Sequence, residues 1–230
     1  MIQLEFDERR HKYSIGGRWV PSVTAIEPPK PALMHWAANM AAEYVKENVV
    51  PGYPLDEIGV KELVEGTRLA YRKKGQKAAD VGTLTHEACE RFAKGEKDVV
   101  VHHPQAANAF AAFKDWCIEH AVIFVAAERK VYHWDHDYCG TLDLLAKVNG
   151  ELAVIDIKTS KAIYTDYRLQ IAAYAAAIER EDQCELPVNW ILRLDKDGDG
   201  FEAHSFEKDR DMPGFLGLLD YHRWNWGTKG

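Results

Sequence analysis

The sequence predicts a mixed α/β fold, a central mixed β-sheet with an antiparallel strand meander flanked by α-helices, and three observations predict it. Apolar residues recur at helical spacing through much of the first 120 positions. Residues 122–158 then turn to β-branched and aromatic runs separated by turn residues. The remainder returns to helix, strands and helix, an order that places helices on the faces of a sheet.

Taken in order, residues 10–24 read as a short hairpin: residues 11–15 and 18–20 flank a Gly16-Gly17 turn, and Pro21-Ser22 ends it. Pro28-Pro29-Lys30-Pro31 is punctuation, and Pro31 suits the first turn of a helix through about residue 45, where its missing N–H is not needed. Residues 56–77, rich in Glu, Leu, Arg and Lys, form a second helix. Gly82-Thr83 precedes a third over residues 84–93, closed by Gly95. A fourth spans residues 105–120, where Ala and Phe recur at helical spacing. Residues 122–134, 138–148 and 151–158 are three antiparallel strands, separated by Asp135-His136-Asp137 and Asn149-Gly150. Residues 165–180 are helical, 188–194 and 201–206 make a further hairpin, and 211–224 end as a helix.

Among the 230 residues, 47% are hydrophobic and 28% charged, which suits one globular domain and excludes a mostly disordered chain. No stretch approaches the roughly eighteen apolar residues of a membrane span, and residues 1–7 have neither the basic nor the apolar part of an export signal. A soluble, cytoplasmic protein without membrane contact is expected. The net charge of −7 excludes coating of nucleic acid by overall charge, though not a locally basic cleft. Cys89, Cys117, Cys139 and Cys184 form no C-x-x-C pair, so reduced thiols are expected.

The residues that carry chemistry lie around the second strand pair. A two-residue Asn149-Gly150 turn sets a register in which paired residue numbers sum to 299, with Asp143 opposite Asp156. Two carboxylates with Cβ atoms ~4.5–5.5 Å apart repel by about 3–4 kcal/mol at an effective dielectric of about 20. Lys158 shares the face of Asp156 and offsets part of this, while Ile157 between them points into the core. A divalent cation offsets it more fully, and hard oxygen donors select Mg²⁺ or Mn²⁺. The alternative, two solvated aspartates, sits poorly with Leu145 and Val154 on the same face.

Gly140-Thr141-Leu142-Asp143, Val154-Ile155-Asp156-Ile157-Lys158-Thr159 and Gln170-x-x-x-Tyr174 together resemble the PD-(D/E)XK nuclease superfamily, in its RecB-like exonuclease branch. Gly82-x-x-x-His86-x-x-x-Glu90 is similar to that branch's first motif, so four motifs stand in family order between residues 82 and 174. Pro21-Ser22-Val23-Thr24 and Lys30-Pro31-Ala32-Leu33 ahead of Trp36 are similar to small RecB-like nucleases of bacteriophages and prophages.

The resemblance implies a restriction-endonuclease-like core in one nuclease domain over residues 1–230, with residues 1–80 a hairpin and helical DNA-contact region and 82–206 the catalytic core. It implies that Asp143, Asp156, His86 and the backbone carbonyl of Ile157 hold Mg²⁺, with Mn²⁺ able to substitute. Lys158 would orient the attacking water and stabilise charge on the phosphate. Gln170 and Tyr174, on one helix face, would border the site. Glu90, one turn beyond His86, would reach the metal through water, and Glu128 shares the face of Asp143 if the Asp135–Asp137 turn preserves parity. A zinc protease motif is excluded because Glu90 stands where His86-Glu87-Ala88-Cys89 would need a second histidine.

The implied activity is a DNA exonuclease acting from a free end in phage or bacterial recombination or repair, with a recombinase or single-strand-binding protein as partner. A structure-specific endonuclease and a catalytically weak binding module are the alternatives. Related nucleases with an iron–sulfur cluster carry clustered cysteines near the C-terminus, and none follows Cys184, so no cluster is expected. Arg68, Arg72, Lys73, Lys74 and Lys77 place five positive charges in ten residues. Such a run is commonly a solvated face, but beside a polyanion it would track phosphates, with Lys161 and Arg168 nearer the site. Two metal-like clusters are expected to be turns: residues 195–200, which mimic the start of an EF-hand loop, and His133 with Asp135, His136 and Asp137.

Overall fold

The structure, a computed structural model, describes residues 4–186, 188–198 and 200–227. The chain forms two compact units, Pro29–Val81 and the pair of segments Met1–Pro28 with Gly82–Gly230. No helix among the described residues is long and apolar enough to cross a membrane.

The unit Pro29–Val81 holds α1 (Ala32–Asn48) and the first part of α2 (Glu57–Ala93). Pro31 stands at the N-terminal cap of α1. Tyr44 lies directly over Gly66, where any Cβ would collide with its ring, and Trp36 meets Tyr71 edge-on with centroids 6.5 Å apart. The separate helices expected over 56–77 and 84–93 are one continuous helix of 37 residues. Gly82 does not break it, because a lone glycine costs an α-helix only about 1 kcal/mol and no proline follows to remove a hydrogen bond. Its role is close approach: a Cβ at Gly82 would stand 3.2 Å from Thr159 Oγ1.

In the other unit, β2 (Lys12–Ile15) and β3 (Arg18–Val20) form the expected hairpin, and β1 (Leu4–Asp7) pairs antiparallel with β2. Four alternating residues are too few to announce β1 by themselves. α3 (Pro104–Glu119) follows α2, and then come β4 (Ile123–His133), β5 (Tyr138–Val148) and β6 (Glu151–Lys158). α4 (Thr165–Asp182) carries the chain over to β7 (Asn189–Leu194), which pairs parallel with β6, and β8 (Phe201–Phe206) returns antiparallel before α5 (Lys208–Gly227). The five-stranded sheet, in the order β4-β5-β6-β7-β8, is therefore mixed, as expected, and flanked by helices.

Both faces of this sheet are covered. On one, Leu142, Leu145, Val154 and Ile191 pack with the alanine-rich α4 and with Phe215 and Leu219 of α5. On the other, Leu144, Ala146, Ile155, Ile157 and Leu192 pack with Phe113 and Trp116 of α3 and with Ala88 and Cys89 of α2. The small sheet is tied to β5: Cys139 N–H donates to the Pro21 carbonyl at 3.0 Å, and the Tyr13 hydroxyl lies 2.8 Å from Thr141 Oγ1.

Candidate active site

Asn149 (φ 51°) and Gly150 (φ 93°) both adopt positive φ, the conformation of a type I′ turn. The ladder runs from Val148↔Glu151 to Leu144↔Ile155 in the expected register. At Asp143 the regular pairing gives way, because Asp143 Oδ2 itself accepts the N–H of Ile157 at 2.7 Å. The pleat also changes there. Leu142 and Leu145 face the α4 core while Leu144 faces the α3 core, a spacing of three where strict alternation needs two or four.

The neighbouring strand is irregular at the same place. The β4–β5 register shifts between Phe124 and Ala126, and Glu128, flanked by the pairs Ala127↔Leu144 and Arg129↔Leu142, takes a left-handed φ of 52°. Such irregularities re-aim side chains out of a ladder. Asp143 meets α2, where His86 Nδ1 stands 3.5 Å from Asp143 Oδ1. One donor atom each from His86, Glu128 and Asp143 lie within 4.8 Å of one another.

Asp156 and Lys158 belong to the opposite aspect of β6, because Ile155 and Ile157 point into the α3 core. Lys158 Nζ lies 2.9 Å from Asp156 Oδ1 and 2.8 Å from Oδ2. It donates to Gln170 Oε1 of α4 at 3.2 Å, and the Tyr167 ring centroid is 4.7 Å away. The ammonium is thus held by a carboxylate, an amide and an aromatic face.

Burial and neighbouring charges oppose one another across this site. Burial pushes the Asp156 carboxyl up to about 6, with Lys158 pulling it down and Asp143 adding to the rise. Burial would raise Asp143 too, but His86, Lys158 and the Ile157 N–H outweigh it and hold that carboxyl below its ordinary value. Partial loss of water, with Asp143 and Glu90 as like charges, pushes Glu128 up to about 7. Burial opposes the charged forms of His86 and Lys158, yet the aspartates raise both.

Glu90 is ion-paired with Lys94 and stands outside the three-donor cluster. Tyr174, almost fully buried, packs its ring on Gly140. A Cβ at position 140 would lie 2.8 Å from Tyr174 Cε1, so the motif glycine is there to admit the ring. Gly140→Ala should destabilise the fold by about 1–3 kcal/mol in urea denaturation, the cost of overpacking, with part recovered by adding Tyr174→Leu. An unchanged midpoint would mean that the ring moves aside freely.

Arg68, Arg72, Lys73, Lys74 and Lys77 are exposed on α2, with Arg68 3.6 Å from Glu65 and Lys74 3.1 Å from Glu43. Lys161 is exposed between β6 and α4. Arg168 donates from Nε and Nη2, one edge of its guanidinium, to Asp211 of α5 at 2.8–3.0 Å, and stacks over Phe206. Its charge is therefore committed within the fold. Asp135 pairs with Arg180 and Asp137 with Arg18, as turn residues would. Asp195 Oδ1 accepts the N–H groups of Asp197 and Gly198, both at 3.0 Å, and Asp199 lies outside the described residues. Tyr167 escaped the sequence reading, because nothing in the local pattern links it to Lys158. A position three residues before Gln170, one helical turn away, is the only signal that pointed to it.

No family model matches the sequence. The chain is 35% identical over 104 residues to the mitochondrial genome maintenance exonuclease 1 of Xenopus tropicalis, covering 43% of this chain and 28% of that protein. The chain thus matches just over a quarter of that relative's length. Among solved structures it is similar to the protein SSO0001 (TM-score 0.39, 14% identity, covering 82% of this chain and 84% of that one). It is also similar to the alkaline exonuclease of Laribacter hongkongensis (TM-score 0.36, 12% identity, covering 85% and 97%). Scores this low carry no conclusion about chemistry. The established likeness is to an exonuclease over part of its length.

Proposed function

We propose that the protein is a metal-dependent DNA exonuclease of the PD-(D/E)XK, RecB-like type, hydrolysing phosphodiester bonds from a strand end. The observation that carries this reading is the meeting of His86, Glu128 and Asp143 donor atoms within 4.8 Å beside the Asp156–Lys158 ion pair. The partial identity to an exonuclease supports it.

The donors fit Mg²⁺ or Mn²⁺: hard carboxylate oxygens and one imidazole nitrogen, in a site where burial first, and the neighbouring Asp143 carboxylate after it, raise Asp156 and Glu128. His86, Asp143, Asp156 and the Ile157 carbonyl would hold the ion, joined by Glu128 and, through water, Glu90. Bound there, the cation supplies polarisation of the phosphoryl oxygen and a lowered pKa for water. Lys158, kept charged by Asp156 and Asp143, faces the charge that develops on the phosphate, and Gln170 and Tyr167 fix its position. The exposed Arg68–Lys77 run adds contacts to the DNA backbone that do not read bases. The finer setting we propose is phage or bacterial recombination or repair, with a recombinase or single-strand-binding protein as partner.

Covalently closed circular DNA, single-stranded and duplex, should survive Mg²⁺ incubations that reduce matching linear molecules to short products. Activity should fall steeply between about 50 and 200 mM salt, because each phosphate contact releases counterions, and should show little sequence preference. Rapid conversion of intact circles to discrete fragments would sink the exonuclease reading in favour of an endonuclease with the same site.

A further inference from the structure

A cavity of about 330 Å³ lies between the N-terminal hairpin and the last turns of α5. Arg10, His11, Lys12 and Tyr13 line it from the hairpin and His222 and Trp226 from α5, with Arg10 Nε also 3.9 Å from Asp7 Oδ2. Its cations lie against indoles: Lys12 Nζ stands 5.5 Å from the ring centroid of Trp226 in the wall and 5.7 Å from that of Trp19 outside it, and the Arg10 guanidinium 5.8 Å from Trp19. Arg10 and Trp226 remain accessible, with 67% of the Arg10 side chain and 42% of Trp226 exposed.

One wall of the cavity reaches the strand that carries Asp143. Tyr13, one of its walls, is hydrogen-bonded to Thr141 at 2.8 Å, and Asp143 lies two residues further along β5, about 7 Å in an extended strand. Concave walls that combine fixed cations with an accessible aromatic face suit a phosphate and a nucleobase together. We propose that this cavity holds one nucleotide of a single-stranded DNA segment adjacent to the phosphodiester at the Asp143 site, its base stacked on Trp226 and its phosphate against Arg10 and Lys12. A free nucleotide offers the same chemistry. The strand is the source the geometry favours, because Arg10 and Trp226 are accessible and Tyr13 bonds to Thr141, two residues from Asp143. The proposal rests on the nuclease reading above.

Binding is measured without cleavage, by fluorescence anisotropy of an end-labelled thymidine oligonucleotide of about 12 nucleotides with the full chain in EDTA. Trp226→Ala should raise Kd about 5- to 150-fold, the range for losing one stacked base, and Trp226→Phe much less. Lys12→Gln should lower the slope of log Kd against log salt by about 1. Circular dichroism melts of each variant should match wild type. Unchanged Kd and salt slope in these variants, or no oligonucleotide binding by wild type, would overturn the proposal. So would binding of dTMP that depends on Trp226 while the oligonucleotide's Kd does not, which would make the cavity a free-nucleotide site. The two readings fail separately. Trp226-dependent oligonucleotide binding by a protein that cuts no DNA in Mg²⁺ would retain the cavity and remove the nuclease, and an active nuclease indifferent to Trp226 and Lys12 would do the reverse.

Discussion

Asp143→Asn and Asp156→Asn should each lower Mg²⁺-dependent cleavage by more than about 10³ while the protein stays folded, a larger loss than the 10²–10³ typical of a single neutral transition-state donor. The fold should survive for different reasons at the two positions. At 143 the asparagine amide oxygen still accepts the Ile157 N–H that Asp143 accepts at 2.7 Å. At 156 burial already works against the charged carboxylate, and the asparagine Oδ1 still accepts from Lys158, whose charge Asp143 also faces. Titration calorimetry with Mn²⁺ should show weakened binding in both variants, and thermal melts close to wild type would separate loss of the metal from loss of the fold. Wild-type turnover and Mn²⁺ affinity in either variant would remove the site from this location.

Lys158→Ala should slow cleavage about 10²–10³-fold and leave Mn²⁺ binding nearly intact, because the lysine serves the phosphate rather than the cation. Lys158→Arg should restore little. The ammonium fits between the Asp156 oxygens, Gln170 Oε1 and the Tyr167 ring, at 2.8–2.9, 3.2 and 4.7 Å, and a planar guanidinium cannot present a compact charge from the same place. Full rescue by arginine would mean that only net charge matters there, and would count against a close catalytic contact.

What the sequence determined by itself was decided locally. Asn149 and Gly150 tolerate positive φ, so their turn type and the β5–β6 register follow from two adjacent residues, and with them the nearness of residues 143 and 156. The strand runs, the helix carrying Gln170 and Tyr174, and the mixed sheet flanked by helices were legible because period and composition act over a few residues. The tertiary structure decided what depends on neighbours far along the chain. That Gly82 serves a close approach to Thr159 rather than a break appears only in the packed structure, and Arg168 reads as available until Asp211, 43 residues away, binds it. Parity counted through a regular strand could not rank Glu128, because the β4 register shift and the left-handed φ at residue 128 appear only when β4 pairs with β5. The change of face at Asp143 likewise appears only with both cores in place, Leu142 and Leu145 in one and Leu144 in the other, and there the carboxylate meets His86 at 3.5 Å.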